Sequence, residues 1–276
     1  YHIKSLHNVE AFLLRTSCRV VCYTSMSSVI QVRGLTKKFG QQFTAVNDLS
    51  FSVHKGDVYG FLGQNGAGKS TTIRMLLSLI EPTAGEIEIF GLPLAANRSA
   101  IMQKVGAVIE KPAMYEYLTA YQNLKIFSAL SGVSKSKTQL LQELDVVGLA
   151  TRAQDNVGTF SQGMKQRLAI AMAMVNDPEL ILLDEPTNGL DPQGIADIRN
   201  LILHLSREQG KTVLVSSHLL SEIEQVATRL IIIDKGCKLV EGDSKDLFDT
   251  SKTVVAIQTL NNIEATKQLM QTNWAS

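Results

Sequence analysis

The chain has 276 residues, and 27 Lys and Arg against 26 Asp and Glu leave a formal net charge of +1. Hydrophobic residues at 45% and charged residues at 19% are ordinary globular proportions, which excludes a disordered or collagen-like chain. A charge so near zero argues against a general nucleic-acid binder, and the apolar runs stop well short of the ~18 residues a membrane span needs.

Residues 1–25 do not match the rest. They begin without Met, carry no capping signal and hold no lasting period, and their apolar piece AFLL is broken at Arg15, which makes a poor secretory signal. Met26 reads as the natural start, so 1–25 are expected to be an unstructured extension. Cys18, Cys22 and Cys237 are too few for a disulfide scaffold and fit a reducing compartment.

From Val29 onward strands and helices alternate. VIQVRGL and LSFSV read as strands, and DVYGFLG is a short apolar run ending in glycine. KSTTIRMLLSLI follows as a helix, then EIEIF and VGAVI as strands. LTAYQNLKIFSAL and KTQLLQELDVVGL repeat apolar residues at threes and fours, as helices do. GMKQRLAIAMAMV is a helix and ELILLDEP a buried strand. In DPQGIADIRNLILHLSREQG, Asp191 can cap a helix, Pro192 suits its first turn, and Ile195, Ile198, Ile202 and Leu205 form one stripe closed by Gly210. TVLVSS and RLIIID are strands with a helix between them. Such alternation predicts an α/β fold with a mainly parallel sheet covered on both faces. Residues 251–276 hold one strand and one helix, too little for a core, and are expected to begin a small, incomplete C-terminal subdomain.

Two motifs carry chemistry on their own terms. GQNGAGKS at 63–70 fits G-x-x-x-x-G-K-[ST], after a strand and before a helix. Gly63, Gln64, Asn65, Gly66, Ala67 and Gly68 would turn backbone N–H groups around phosphate oxygens, and the helix N-terminus adds partial positive charge. Lys69 would reach the β- and γ-phosphates, Ser70 would ligate Mg²⁺, and Thr71 would lie near the α-phosphate. ELILLDEP ends in Asp184 and Glu185, whose carboxylates belong at the strand tip facing the ligand crevice. Asp184 would hold Mg²⁺ through water, and Glu185 would orient the attacking water.

FSQGMKQR at 160–167 resembles the signature motif of ATP-binding-cassette (ABC) ATPases, L-S-G-G-Q, matching at Ser161 and Gly163 and departing at Phe160, Gln162 and Met164. NGLD, ending in Asp191, resembles the family's D-loop, and SSH its switch histidine, His218. Phe39 in KKFG matches the aromatic that stacks on adenine. The resemblance covers roughly 29–248. It implies a P-loop NTPase core with an antiparallel β-subdomain over 26–250 and an inserted helical subdomain at about 111–156. It further implies that two ATPase chains, a homodimer or paralogues, sandwich ATP and Mg²⁺ between one P-loop and the other chain's signature motif. A separate polytopic membrane permease would hold the pair at the inner face of the cell membrane, in the cytoplasm, with no nucleic acid involved.

Where the family usually carries Gln after the VGAVI strand, this chain has Glu110, which resembles the subset that exports lantibiotics and related antibiotic peptides or gives immunity to them. FSQGMKQRLAIAMAMV also resembles bacitracin-type transport ATPases. A carboxylate there differs greatly from an amide, since a unit charge at 4 Å is worth ~4 kcal/mol at an effective dielectric near 20. Two other readings share these motifs: a soluble, non-transport ATPase of the superfamily, and the ATPase of a nutrient importer.

Overall fold

The computed structural model describes residues 28–40, 42–109 and 114–249. Residues 1–25 and 251–276, on which the expectations of an extension and a terminal subdomain fall, lie outside the described residues.

The chain opens with a hairpin of long strands, β1 (Ser28–Phe39) and β2 (Phe43–His54). Then come β3 (Val58–Leu62), α1 (Lys69–Leu76), β4 (Ala84–Ile89), β5 (Leu92–Pro93), α2 (Leu94–Met102) and β6 (Val105–Val108). Two helices follow, α3 (Ala120–Leu130) and α4 (Lys137–Val146). The remainder is α5 (Gln162–Met174), β7 (Leu180–Leu183), α6 (Pro192–Arg207), β8 (Thr212–Ser217), α7 (Leu220–Val226), β9 (Arg229–Asp234), β10 (Cys237–Asp243) and α8 (Ser244–Leu247).

Two sheets result. One is four-stranded and antiparallel, in the order β2-β1-β4-β5. The other has six strands in the order β10-β9-β3-β8-β7-β6; its neighbours are parallel except for β10, which pairs antiparallel at the edge. The central strands are buried on both faces, and their side chains alternate between two cores. Val58, Leu62, Ile181, Leu183, Val213 and Val215 pack with the helical layer of α3 to α7. Tyr59, Phe61, Leu180, Leu182 and Leu214 pack with α1 and the antiparallel sheet. Period-two alternation between two apolar layers explains why these strands read as unbroken apolar runs. Polar side chains are buried there too: Thr212, Ser216 and Ser217 at the two ends of β8, and Tyr59 on β3, whose phenol donates to Glu241 Oε1 at 2.8 Å, while burial together with that carboxylate holds its pKa far above the usual tyrosine range.

Several boundaries differ from the sequence reading. The first hairpin runs further than its two apolar cores, because KKFG and FTAVND pair although they do not alternate. α1 stops at Leu76, and Ser78 takes a left-handed φ of 53° that ends the helix before LI. α2 was not anticipated: only Leu94 and Ile101 of it are buried, and Asn97 interrupts its dihedrals, so it carries almost no period. The helix caps are local and follow sequence closely. Asp191 accepts from the Gly194 amide at 3.0 Å with Pro192 in the first turn, and Thr119 and Ser136 each form a reciprocal capping box with a glutamine three residues on.

Candidate functional site

The parallel strands β3, β8 and β7 are neighbours, and their C-terminal ends present 63–68, Ser217–His218 and Asp184–Glu185 to one crevice. Open α/β sheets place ligands at such strand ends. After β3 the chain turns into α1 with Gly68 at the N-cap, φ 105°. A Cβ at Gly68 would lie 2.6 Å from the Ala45 carbonyl oxygen on β2, so glycine is required both by the dihedral and by the space. Ala67 is tied on both sides: its amide donates to Gln64 O at 3.0 Å, and its carbonyl accepts from Gly236 N at 3.0 Å. The buried Thr72 hydroxyl donates to Gly68 O at 3.0 Å, and Gly63 N donates to Ser217 O at 3.2 Å. Gln64, Asn65 and Gly66 are exposed, while Ser70 and Thr71 are half-buried in the first turn of the helix.

Lys69, only 5% exposed, curls back over its own loop. Its ammonium donates to Gly63 O at 2.6 Å and Gln64 O at 3.2 Å, and lies 3.0 Å from Glu185 Oε1. That pair is close enough for a Coulombic contact but outside hydrogen-bond geometry, so Oε1 accepts no hydrogen bond among the described residues. The other carboxylate oxygen, Oε2, is 2.8 Å from His218 Nδ1. Glu185 therefore spans from the lysine of one strand end to the imidazole of another.

Backbone strain sets this placement. Glu185 has φ 48°, a left-handed conformation uncommon for a glutamate. Ser216 on β8, fully buried, holds it: the hydroxyl accepts from Glu185 N at 2.9 Å and donates to Asp184 Oδ1 at 2.6 Å. One hydroxyl thus holds the Asp184 carboxylate and the Glu185 backbone. Sequence reasoning passed over Ser216, because a serine before a histidine has no spacing that reveals a partner on the neighbouring strand.

The other expected residues fall in two places. Phe39 ends β1 and is 45% exposed, with its ring 6.4 Å from that of Phe43, which the sequence reading did not single out. Ser161 caps α5 by accepting from Met164 N at 3.3 Å and faces outward, and Gly163 lies beside Gly194 at the start of α6. No hydrogen bond or ion pair among the described residues joins Ser161, Gly163 or Asp191 to Lys69, Asp184, Glu185 or His218. Glu110 lies outside the described residues.

Residues 46–188 match the family model described as ABC transporter. The chain belongs to the ABC transporter family. It is 50% identical over 216 residues, 78% of this chain and 70% of its relative, to a bacitracin transport ATP-binding protein of Bacillus licheniformis. It is 40% identical over 213 residues, 77% of this chain and 90% of the relative, to a lantibiotic transport ATP-binding protein of Streptococcus pyogenes. Among solved structures, a dimeric ATP-binding cassette in a post-hydrolysis state bound to ADP and Pi matches with a TM-score of 0.69 and 27% identity, over 78% of this chain and 98% of that one. This ABC cassette thus binds nucleotide and hydrolyses ATP to drive transport. No helix among the described residues is long and apolar enough to cross a membrane.

Proposed function

We propose that this chain powers export of antibiotic peptides, or immunity to them, by hydrolysing ATP in a dimer docked on a separate membrane permease. The contact that carries the catalytic part is the Glu185 carboxylate, bridging Lys69 at 3.0 Å and His218 at 2.8 Å. The antibiotic-peptide part rests on the relatives, whose names specify bacitracin and lantibiotic transport. In this reading the cassette sits in the cytoplasm on the inner face of the membrane through its permease.

The P-loop amides and Lys69 bind the phosphates, and a γ-phosphate oxygen arriving at Lys69 competes with Glu185 Oε1 for the ammonium. Glu185 is then free to accept a hydrogen bond from water and aim it at the γ-phosphorus. As the water oxygen bonds to phosphorus, its proton passes to the Glu185 carboxylate and the bond from phosphorus to the bridging oxygen breaks, leaving ADP. His218 donates to the γ-phosphate oxygens while Glu185 orients its ring. Phosphoryl transfer of this kind is mostly positioning and charge stabilisation, which the buried Lys69 ammonium, the Asp184 and Glu185 carboxylates and the His218 imidazole at three strand ends supply.

The donors also fit Mg²⁺. Ser70 offers a hydroxyl and Asp184 a carboxylate fixed by Ser216, both hard oxygen ligands. The described residues hold no group of three or more His, Cys, Asp or Glu side chains suited to a metal, and Mg²⁺ characteristically takes few protein ligands beside substrate phosphates and water. When bound it would neutralise charge on the phosphates.

The test is Glu185→Gln, which keeps size and ATP binding but loses the carboxylate. Turnover should drop by on the order of 10²-fold or more, and the ATP-bound variant should elute as a dimer. Cells carrying the chain with its permease should lose resistance to bacitracin or a lantibiotic with the same substitution. Near-normal turnover would remove Glu185 from catalysis; unaltered peptide resistance would remove the substrate class.

A further inference from the structure

We propose that Glu222 is a positioning residue for ATP hydrolysis, a carboxylate that ties the turn carrying His218 to the loop that follows Glu185. It stands in the first turn of α7, and no hydrogen bond or ion pair among the described residues joins it to Lys69. Its Oε2 accepts two hydroxyl protons, from Thr187 Oγ1 at 2.6 Å and from Ser217 Oγ at 2.9 Å. Each donor flanks one half of the Glu185–His218 pair. Thr187 is two residues beyond Glu185, and its carbonyl accepts from Leu190 N at 3.2 Å, which shapes the stretch leading to Asp191. Ser217 immediately precedes His218, is 1% exposed, and its hydroxyl also accepts from Leu219 N at 3.0 Å. The turn is therefore pinned on both sides of the histidine. The Ser217 carbonyl in turn accepts from Gly63 N at 3.2 Å, so the same residue reaches the first position of the P-loop.

The chemistry suits an aligning part. A carboxylate accepting from two neutral hydroxyls makes short, charge-assisted hydrogen bonds that tolerate little displacement. Both bonds end on one oxygen, so the two loops are held at a fixed separation through a single atom. The Glu185–His218 contact at 2.8 Å depends on that separation. Moving either loop by ~1 Å is enough to cost up to ~10²-fold in rate. ATP affinity depends instead on the P-loop, where Gly68 abuts β2, Ala67 pairs with Gly236, and the bond to Ser217 is backbone to backbone, none of these contacts using the Glu222 side chain.

The inference rests on the catalytic reading of Glu185 and His218, and the experiment separates the two. Steady-state ATP hydrolysis by the purified full-length chain is measured for Glu222→Ala, Glu222→Gln, Thr187→Val and His218→Ala, with the melting temperature of each. Glu222→Ala should lower kcat roughly 10-fold and leave KM for ATP within about twofold. Glu222→Gln keeps a carbonyl acceptor and should recover most of the rate. Thr187→Val should lose part of it, and Glu222→Ala combined with Thr187→Val should be no slower than Glu222→Ala alone, as expected for partners in one contact. Should Glu222→Ala fail to fold, Thr187→Val and Glu222→Gln decide: normal kcat in the first, or a Gln variant with a KM defect as large as its kcat defect, overturns the proposal. Wild-type kcat in a folded Glu222→Ala chain overturns it outright. High turnover by His218→Ala would instead sink the catalytic reading of the histidine.

Discussion

The loop at 63–70 and the turn that opens α5 are built from the same parts: glycine, a hydroxyl and a helix N-terminus. The chain treats them in opposite ways. Gly68 is buried, left-handed at φ 105°, and 2.6 Å would separate its Cβ from Ala45 O. Gly163 would place a Cβ 3.7 Å from Gly194 Cα, an ordinary contact, at no unusual dihedral. Lys69 is enclosed by its own loop and Glu185, whereas Ser161 caps its helix and faces solvent. The P-loop glycine has a complete explanation inside one chain. The signature glycine has none there, which supports the proposal that its reason lies with phosphate brought by a second chain.

The largest effects should come from breaking that contrast directly. Lys69→Ala removes the buried ammonium and should weaken ATP binding to the single chain by on the order of 10²-fold, since charge-assisted contacts to phosphate are the strong ones. Ser161→Arg should leave single-chain affinity near normal while blocking ATP-dependent dimerisation and hydrolysis. Fluorescent-nucleotide titration at low protein concentration, beside size-exclusion with ATP, reads both. Equal loss of single-chain affinity in the two variants would erase the distinction.

A subtler pair tests the same contrast through stability. Gly68→Ala forces a strained backbone, a cost of about 1–3 kcal/mol that should lower the melting temperature by roughly 5 °C. Gly163→Ala lies in a helix with room for a methyl and should be neutral or stabilising by up to ~1 kcal/mol. Its hydrolysis should nonetheless fall if the proposed sandwich holds, because the added methyl would then meet phosphate bound by the other chain. A Gly163→Ala protein with full ATPase activity would mean that the glycine serves no interface.

How legible all this was in sequence follows the range of the interactions. The P-loop, the Asp184–Glu185 tip and the Asp191 cap lie within short segments, so spacing alone displays them. The sheet's cores were visible because the buried strands are mostly apolar, with the polar residues of β8 confined to its two ends. Ser216 and Glu222 act across 31 to 35 residues of chain, on partners chosen by strand order, and no local pattern encodes that. Phe43 was hidden for a related reason. Its pairing with Phe39 depends on a hairpin whose register shifts at several points, so the tip cannot be counted from the apolar cores. The helix α2 failed on amphipathicity, since two buried residues in nine give no stripe.

The smallest predicted effect concerns that aromatic pair and extends the one-chain character of the P-loop half to the base. Phe39 and Phe43 face each other across the hairpin, 45% and 60% exposed, with ring centroids 6.4 Å apart and planes 25° from parallel. Lys37 Nζ lies 5.2 Å from the Phe39 ring centre. Two residues further along β2, Ala45 abuts Gly68, so the Phe43 backbone lies about 7 Å along the strand from that contact at ~3.4 Å per strand residue. That is a nucleoside's distance from its phosphates. If Phe39 carries the base, Phe39→Ala should raise KM for ATP roughly fivefold or more, the low end of a base-stacking contribution of ~1–3 kcal/mol. Phe43 stacks against Phe39 and acts by holding its ring; an aromatic pair contributes about 0.5–1.5 kcal/mol, so at the low end of that range Phe43→Ala should raise KM only about two- to threefold. Neither substitution should alter inhibition by tripolyphosphate, which has no base to stack. A change in tripolyphosphate affinity would show that the hairpin shapes the P-loop and does not read the base. Equal KM penalties in the two variants would make Phe43 a direct base contact.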